Sequence, residues 1–116
     1  MSNKISLYDL YEIKKKKEAK VNSAFNIILN ACYKKIKSIA NMGGQSLYYT
    51  IPPIQIGYPL YNYNDCMNYI TTTLKKNGLY ISILPYPNHN MIYISWKIED
   101  VSNNNTNNKN KRLLLN

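Results

Sequence analysis

The side chain best placed to react is Cys66, which follows the turn-forming pair Asn64-Asp65 at the start of a helical stretch. Free amides and the macrodipole of a first helical turn lower a thiol pKa. A nucleophile also needs a base, and the one histidine, His89, lies in a proline-rich loop without fixed geometry. Cys66 shares the apolar face of Tyr69, Ile70 and Leu74, and Cys32 sits in the middle of another apolar stripe, so both read as buried structural thiols. For a metal there is no C-x-x-C, no H-x-x-x-H and no other paired ligand spacing. Gly43-Gly44 and Gly57 stand without the G-K-S/T that a phosphate cradle requires. Carboxylates in the middle of the chain are limited to Asp65 and the Glu99-Asp100 pair. An enzyme would have to be built from tyrosine hydroxyls and one thiol; the expectation is a non-enzymatic protein with no metal and no cofactor.

Two groups of residues remain as binding candidates. Lys14, Lys15, Lys16, Lys17 and Lys20 cover every azimuth of about two helical turns, so the segment is expected to project from the body. With Lys34, Lys35 and Lys37 it offers candidate phosphate contacts, whose affinity would fall with salt through counterion release. The competing reading is a solvated helix face. The second group is Tyr48, Tyr58, Tyr61, Tyr63, Tyr86 and Tyr93, which alternate with Ile and Leu around the expected sheet and its loops. Aromatic patches of this kind are common at protein interfaces, but tyrosine also fills ordinary sheet surface.

Composition tempers both. In 116 residues there are 18 Asn, 15 Ile, 14 Lys and 12 Tyr, against a single Arg and a single Phe. Arg and Lys share a charge, and Phe and Tyr share a ring. An A+T-rich coding sequence therefore explains the choice better than side-chain chemistry does, and neither Lys clusters nor Tyr surplus prove a nucleic-acid site. The distribution of charge says more than the net +9. Residues 1–44 carry nine Lys against three acids, residues 45–101 balance, and residues 102–116 add three cations. No stretch approaches the roughly 20 apolar residues of a membrane span, and the N-terminus lacks the apolar run of a secretory signal. Two cysteines in a chain of this size suggest reduced thiols. The expectation is a soluble, unexported protein.

The elements that must position these residues follow from periodicity. Ser6 and Asp9 form a capping-box pattern ahead of Leu7, Leu10, Tyr11 and Ile13. The lysine run interrupts this face. Val21, Phe25, Ile28, Leu29, Cys32, Ile36, Ile39 and Ala40 then recur at steps of three and four until Gly43-Gly44. The sequence leaves open whether this is one helix or two broken at Asn22-Ser23. Leu47 to Ile51 reads as a strand closed by Pro52-Pro53. The following loop, with Ile54, Ile56, Tyr58, Leu60 and Tyr61, is too apolar for a solvated linker and is expected to pack on the core. Asn64 or Asp65 caps a helix that ends at Asn77-Gly78, and Leu79–Leu84 and Met91–Trp96 form an antiparallel hairpin. One core is expected from Phe25, Ile28, Cys32, Ile36, Ile70, Leu74, Ile81, Ile83, Ile94 and Trp96. The division is a basic helical arm over 1–20, one domain over 21–101, and an Asn/Lys-rich tail over 102–116 too polar to fold. The fold class is α+β, a small three-stranded antiparallel sheet with helices on one face; the alternative is winged-helix-like.

Set end to end, these segments are ISLYDLYEIKKKKE, ACYKKIKSIA, the strand ending in Pro52, Gly57-x-Pro59-x-Tyr61, the Cys66 helix ending Asn77-Gly78, and Pro87-Asn88 ahead of Ser95-Trp96. The pattern resembles a family of short proteins of nucleocytoplasmic large DNA viruses, over roughly residues 5–97. His89-Asn90 lengthens the hairpin loop relative to that pattern. The resemblance implies a viral origin, and with it a place in the host cytoplasm at the viral factory or in the virion; it carries over no catalytic residue. Two functions follow as expectations. The first is a virion-associated or assembly module docking on other viral structural proteins. The second is a sequence-independent nucleic-acid-binding protein that uses the lysine-rich helix.

Overall fold

The structure is a computed structural model and describes residues 4–107. Its elements run α1 Leu7–Asn41, β1 Ser46–Thr50, α2 Tyr63–Lys76, β2 Tyr80–Ile83, β3 Met91–Ser95 and α3 Ile98–Asn107. This is an α+β fold, and the strand order β1-β3-β2 is antiparallel throughout.

The capping box opens α1 as its residues require. Ser6 Oγ accepts from the Asp9 amide at 3.0 Å, and Asp9 Oδ2 accepts from the Ser6 amide at 3.3 Å. The helix then continues without a break for 35 residues. Ser23 starts no second helix; its hydroxyl donates back to the Ala19 carbonyl, so the competing group is absorbed inside the helix. At the end Gly43 takes φ +89°, its amide donating to Ala40 and that of Gly44 to Ile39. This is a Schellman closure, which needs the left-handed residue. Gly78, at φ +91°, closes α2 in the same way, with the Leu79 amide on the Leu74 carbonyl and the Leu79 side chain against the core.

Alternation divides the sheet into two faces. Leu47, Ile94 and Ile81 lie side by side, as do Tyr49, Ile92 and Ile83, and this face turns toward α1 and α2. Phe25, Ile28, Leu29 and Cys32 of α1 and Cys66, Met67, Ile70 and Leu74 of α2 complete the core. The Tyr49 hydroxyl donates to the Ile28 carbonyl, which joins strand to helix inside that core. Two expected core members sit elsewhere than the middle: Trp96 and Ile36 are half-buried at the rim. Ile83 is 49 % exposed, because it ends the edge strand β2 beyond the reach of the helices.

Several local expectations are corrected. The N-cap of α2 is Asn62, whose side chain accepts from the Asp65 amide; Asn64 and Asp65 lie within the first turn. The segment from Ile51 to Asn62 holds no helix, so the winged-helix alternative lacks its helix-turn-helix. That loop is anchored more than it is buried. Tyr61 donates to the Pro52 carbonyl at 2.7 Å, and Tyr63 to the carbonyls of Ile51 and Asn90, while Ile54, Ile56 and Leu60 remain exposed. Helix α3 is an element that periodicity does not announce. It crosses the Val101 boundary expected for the tail, and residues 108–116 of that tail lie outside the described residues. Nor do all helices share one face, since Asp100 of α3 reaches the opposite side of the sheet.

Candidate functional site

Helix α1 is the element that gives the molecule its shape. Thirty-five residues at about 1.5 Å each make a rod of roughly 52 Å, and the chain measures 69 × 29 × 28 Å. Burial begins only at Val21 and Ala24; from Leu7 to Lys20 every residue but the half-buried Glu12 is exposed. The N-terminal part therefore projects as an arm.

Along this arm the core stripe does not stop. Leu7, Tyr11, Lys14, Glu18, Val21, Phe25, Ile28 and Cys32 recur at alternating steps of four and three, which keeps them on one side of the helix. The last three are buried and Val21 is half-buried. Leu7 and Tyr11 are 64 % and 57 % exposed, with Leu10 beside them at 49 %. A helix side that packs at one end and is apolar but bare at the other has the pattern of a docking surface. Reading the lysine run as an interruption hides this continuity; the four-three spacing carries the signal. At the root of the arm Val21 and Phe25 border a notch of about 560 Å³, closed on its far side by Asn62 and Asp65 at the start of α2. Phe25 is held there by Tyr61, edge-on at 5.3 Å, and by Tyr69 at 5.7 Å.

The eight candidate lysines of α1 are all exposed, but they do not form one patch. Lys14 lies on the apolar side, and Lys15, Lys16, Lys17 and Lys20 are spread around the rest of the arm. Lys16 and Lys34 fall on the same azimuth, five turns and about 27 Å apart, with Lys20 and Lys37 within a quarter turn of that line. Lys35 points to another side.

The tyrosines separate into three groups. Tyr48 and Tyr93 stand together on the outer sheet face, with ring centroids 5.3 Å apart, and Tyr80 joins them at 6.1 Å from Tyr93. Tyr61 and Tyr63 spend their hydroxyls on tying down the loop, with Tyr58 half-buried in the same segment. Tyr86 lies in the hairpin loop, where it stacks on His89 at 5.6 Å. One continuous tyrosine face does not form.

Asp100 completes the outer face, accepting from Ser95 Oγ at 2.6 Å and Tyr93 Oη at 3.1 Å. These donors bind the charged carboxylate, Ser95 first, and hold its pKa below the ordinary 3.8. A depressed acid contributes stability that is complete above its unfolded pKa and is lost as pH falls through the folded value. Acid unfolding of the parent should therefore steepen below about pH 4, and Asp100→Asn should flatten that limb. Urea midpoints measured across this range would show it; identical acid limbs would refute the contact.

Neither thiol is placed to react. Cys32 and Cys66 are fully enclosed, and burial pushes both up to about 11, against the slight pull of Lys35 on Cys32. The position of Cys66 near the start of α2 does not offset its desolvation. Labelling by a small disulfide reagent at about pH 8 should be slow in the native protein and fast in urea, with thiol release as the readout. Rapid native labelling would show an open path to the thiol. Among the described residues no three metal-ligating side chains gather, and no helix is long and apolar enough to cross a membrane.

Fold and surface together define a small α+β protein with a helix that extends past its own core. Residues 5–75, more than half the chain, match the family of unknown function DUF5759, and the chain belongs to that family. No curated protein and no solved structure matches it.

Proposed function

We propose that the chain is a non-enzymatic interaction protein of a nucleocytoplasmic large DNA virus, an assembly or virion-associated module that docks on other proteins through its arm and outer sheet face. The observation that carries this reading is the continuation of the core stripe onto a projecting helix, where Leu7, Leu10 and Tyr11 are exposed. Burying apolar surface is worth about 25 cal/mol per Å², and these side chains find no such burial within the described residues. The resemblance to proteins of large DNA viruses makes viral structural proteins the partners, and the cytoplasmic viral factory or the virion the place. Photo-crosslinking from position 8, beside the stripe, tests the reading: a discrete protein adduct is expected, and its absence would overturn it.

The basic line through Lys16, Lys20, Lys34 and Lys37 favours a second reading, sequence-independent binding to nucleic acid. If it holds, replacing Lys14, Lys15, Lys16 and Lys17 with Gln should weaken binding to any duplex alike. The slope of log affinity against log salt should then flatten by roughly three or four, about 0.9 for each phosphate that is no longer neutralised. The docking account predicts instead that parent binding is already weak and vanishes at about 0.15 M salt, where exposed charges are screened beyond roughly 8 Å. A salt titration of both proteins on one duplex decides between them.

A further inference from the structure

The bare stripe of the arm is complementary to itself. We infer that its occupant is a second copy of this chain, the two arms lying antiparallel across a two-fold axis near residue 16, which leaves the outer sheet face for other proteins; this rests on the reading of the arm as a docking element. An isologous contact sets residue i of one copy against residue j of the other and repeats the same contact in reverse. In the register that places Leu7 opposite Phe25, the remaining stripe residues fall into step: Tyr11 opposite Val21, and Lys14 opposite Glu18. Each contact occurs twice. Lys14 and Glu18, the two charged members of the four-three stripe, therefore become reciprocal ion pairs at the centre of the dimer, flanked on both sides by apolar layers.

The notch at the root of the arm fits the end of such a partner. It opens beside Val21 and the edge of Phe25 and runs along the arm past Glu18 and Lys17 to Lys14, so its roughly 560 Å³ lies on the side of the helix that the partner's arm would follow, beginning with the turn that carries Leu7. The interface then runs from residue 7 to residue 25, about 27 Å of helix on each copy. Nucleic acid would leave Leu7, Leu10 and Tyr11 in water, whereas the antiparallel pair covers the stripe on both copies. The flanking Lys15 and Lys17 of the two copies approach one another near the axis and oppose the association. This repulsion weakens the association and makes it depend on salt.

Sedimentation equilibrium of the full chain across the micromolar range tests this. The expected result is a monomer–dimer equilibrium that Leu7→Glu with Tyr11→Glu abolishes; both residues are exposed, so the fold is unaffected and circular dichroism verifies it. The register has its own test. Lys14→Glu alone puts four acids at the centre, and Glu18→Lys alone puts four cations there, so each should dissociate at least tenfold more readily than the parent. An equimolar mixture of the two variants restores both ion pairs between unlike chains. It should dimerise more tightly than either variant alone, a rescue that pairing within one helix cannot produce. A chain that remains monomeric throughout, or a mixture no tighter than its components, would overturn the proposal. In that event a crosslink from position 8 to a different protein would leave the docking reading standing, whereas crosslinks to nucleic acid alone would remove both.

Discussion

Truncation of Ile70 to alanine is expected to lower the stability of the domain by about 2–5 kcal/mol, the range for a large aliphatic side chain removed from a close-packed core. Ile70 is fully buried and lies on the inner face of α2, in the same core as Ile92 and Ile94 of the central strand. Its neighbours belong to regular elements tied by capping and sheet hydrogen bonds, which limits how far they can close the cavity. Small domains have only about 5–15 kcal/mol in total, so the melting point should drop by on the order of 10 °C or more. Thermal unfolding followed by circular dichroism checks this, and an unshifted transition would mean that α2 presents a different face.

Phe25→Ala should cost about 3–5 kcal/mol, at the upper end for a buried aromatic. The ring joins three segments: it belongs to α1, it meets Tyr61 of the loop edge-on, and it lies against Tyr69 of α2. Both aromatic pairings disappear with the ring, each worth about 0.5–1.5 kcal/mol beyond the area they bury. The consequence reaches the arm, because Phe25 is the buried residue of the stripe that borders the notch at the arm's root. Phe25→Leu keeps much of the volume and should recover more than half of the stability. Urea midpoints for the pair measure this, and equal values for Phe25→Leu and Phe25→Ala would show that volume at this site is not what matters.

How much of the fold is legible in the sequence depends on how local the cause is. The Ser6–Asp9 box and the Asn77-Gly78 end of α2 are readable because each is a short-range pattern with one geometric solution. The hairpin is readable for the same reason, its strands being runs of β-branched and aromatic residues on either side of a proline-rich turn. The cap of α2 is misread from sequence because Asn64 and Asp65 are cap-forming types too, whereas the helix starts from Asn62, whose side chain accepts from the Asp65 amide. Helix α3 escapes because an Asn-rich stretch has little helical propensity of its own. Tertiary contacts supply what propensity lacks, since Asp100 is held by the hydroxyls of Tyr93 and Ser95.

The site divides along the same line. Exposure of the lysines follows from their spread around the helix. The dispersal of the tyrosines does not, because whether a hydroxyl faces a partner or closes a loop depends on which carbonyl lies nearby in space. Tyr61 finds Pro52, nine residues away in sequence, and Tyr63 finds Asn90, 27 residues away. The arm itself is half visible: its projection follows from the lysines, whereas its apolar stripe emerges only once α1 is known to be unbroken.

The central claim is that the arm works through its apolar stripe and not through its charge. A photo-reactive phenylalanine derivative at position 8, an exposed tyrosine next to the stripe, places a probe there without touching Leu7, Leu10 or Tyr11. Three versions of the full chain carrying this probe are irradiated in the cells that produce it: the parent sequence, one with Leu7, Leu10 and Tyr11 changed to Ser, and one with Lys15, Lys16 and Lys17 changed to Gln. A discrete protein adduct is expected from the parent, abolished by the three Ser substitutions and kept with the three Gln substitutions. An adduct that survives loss of the stripe and disappears with the lysines, or one that nuclease removes, would contradict the account.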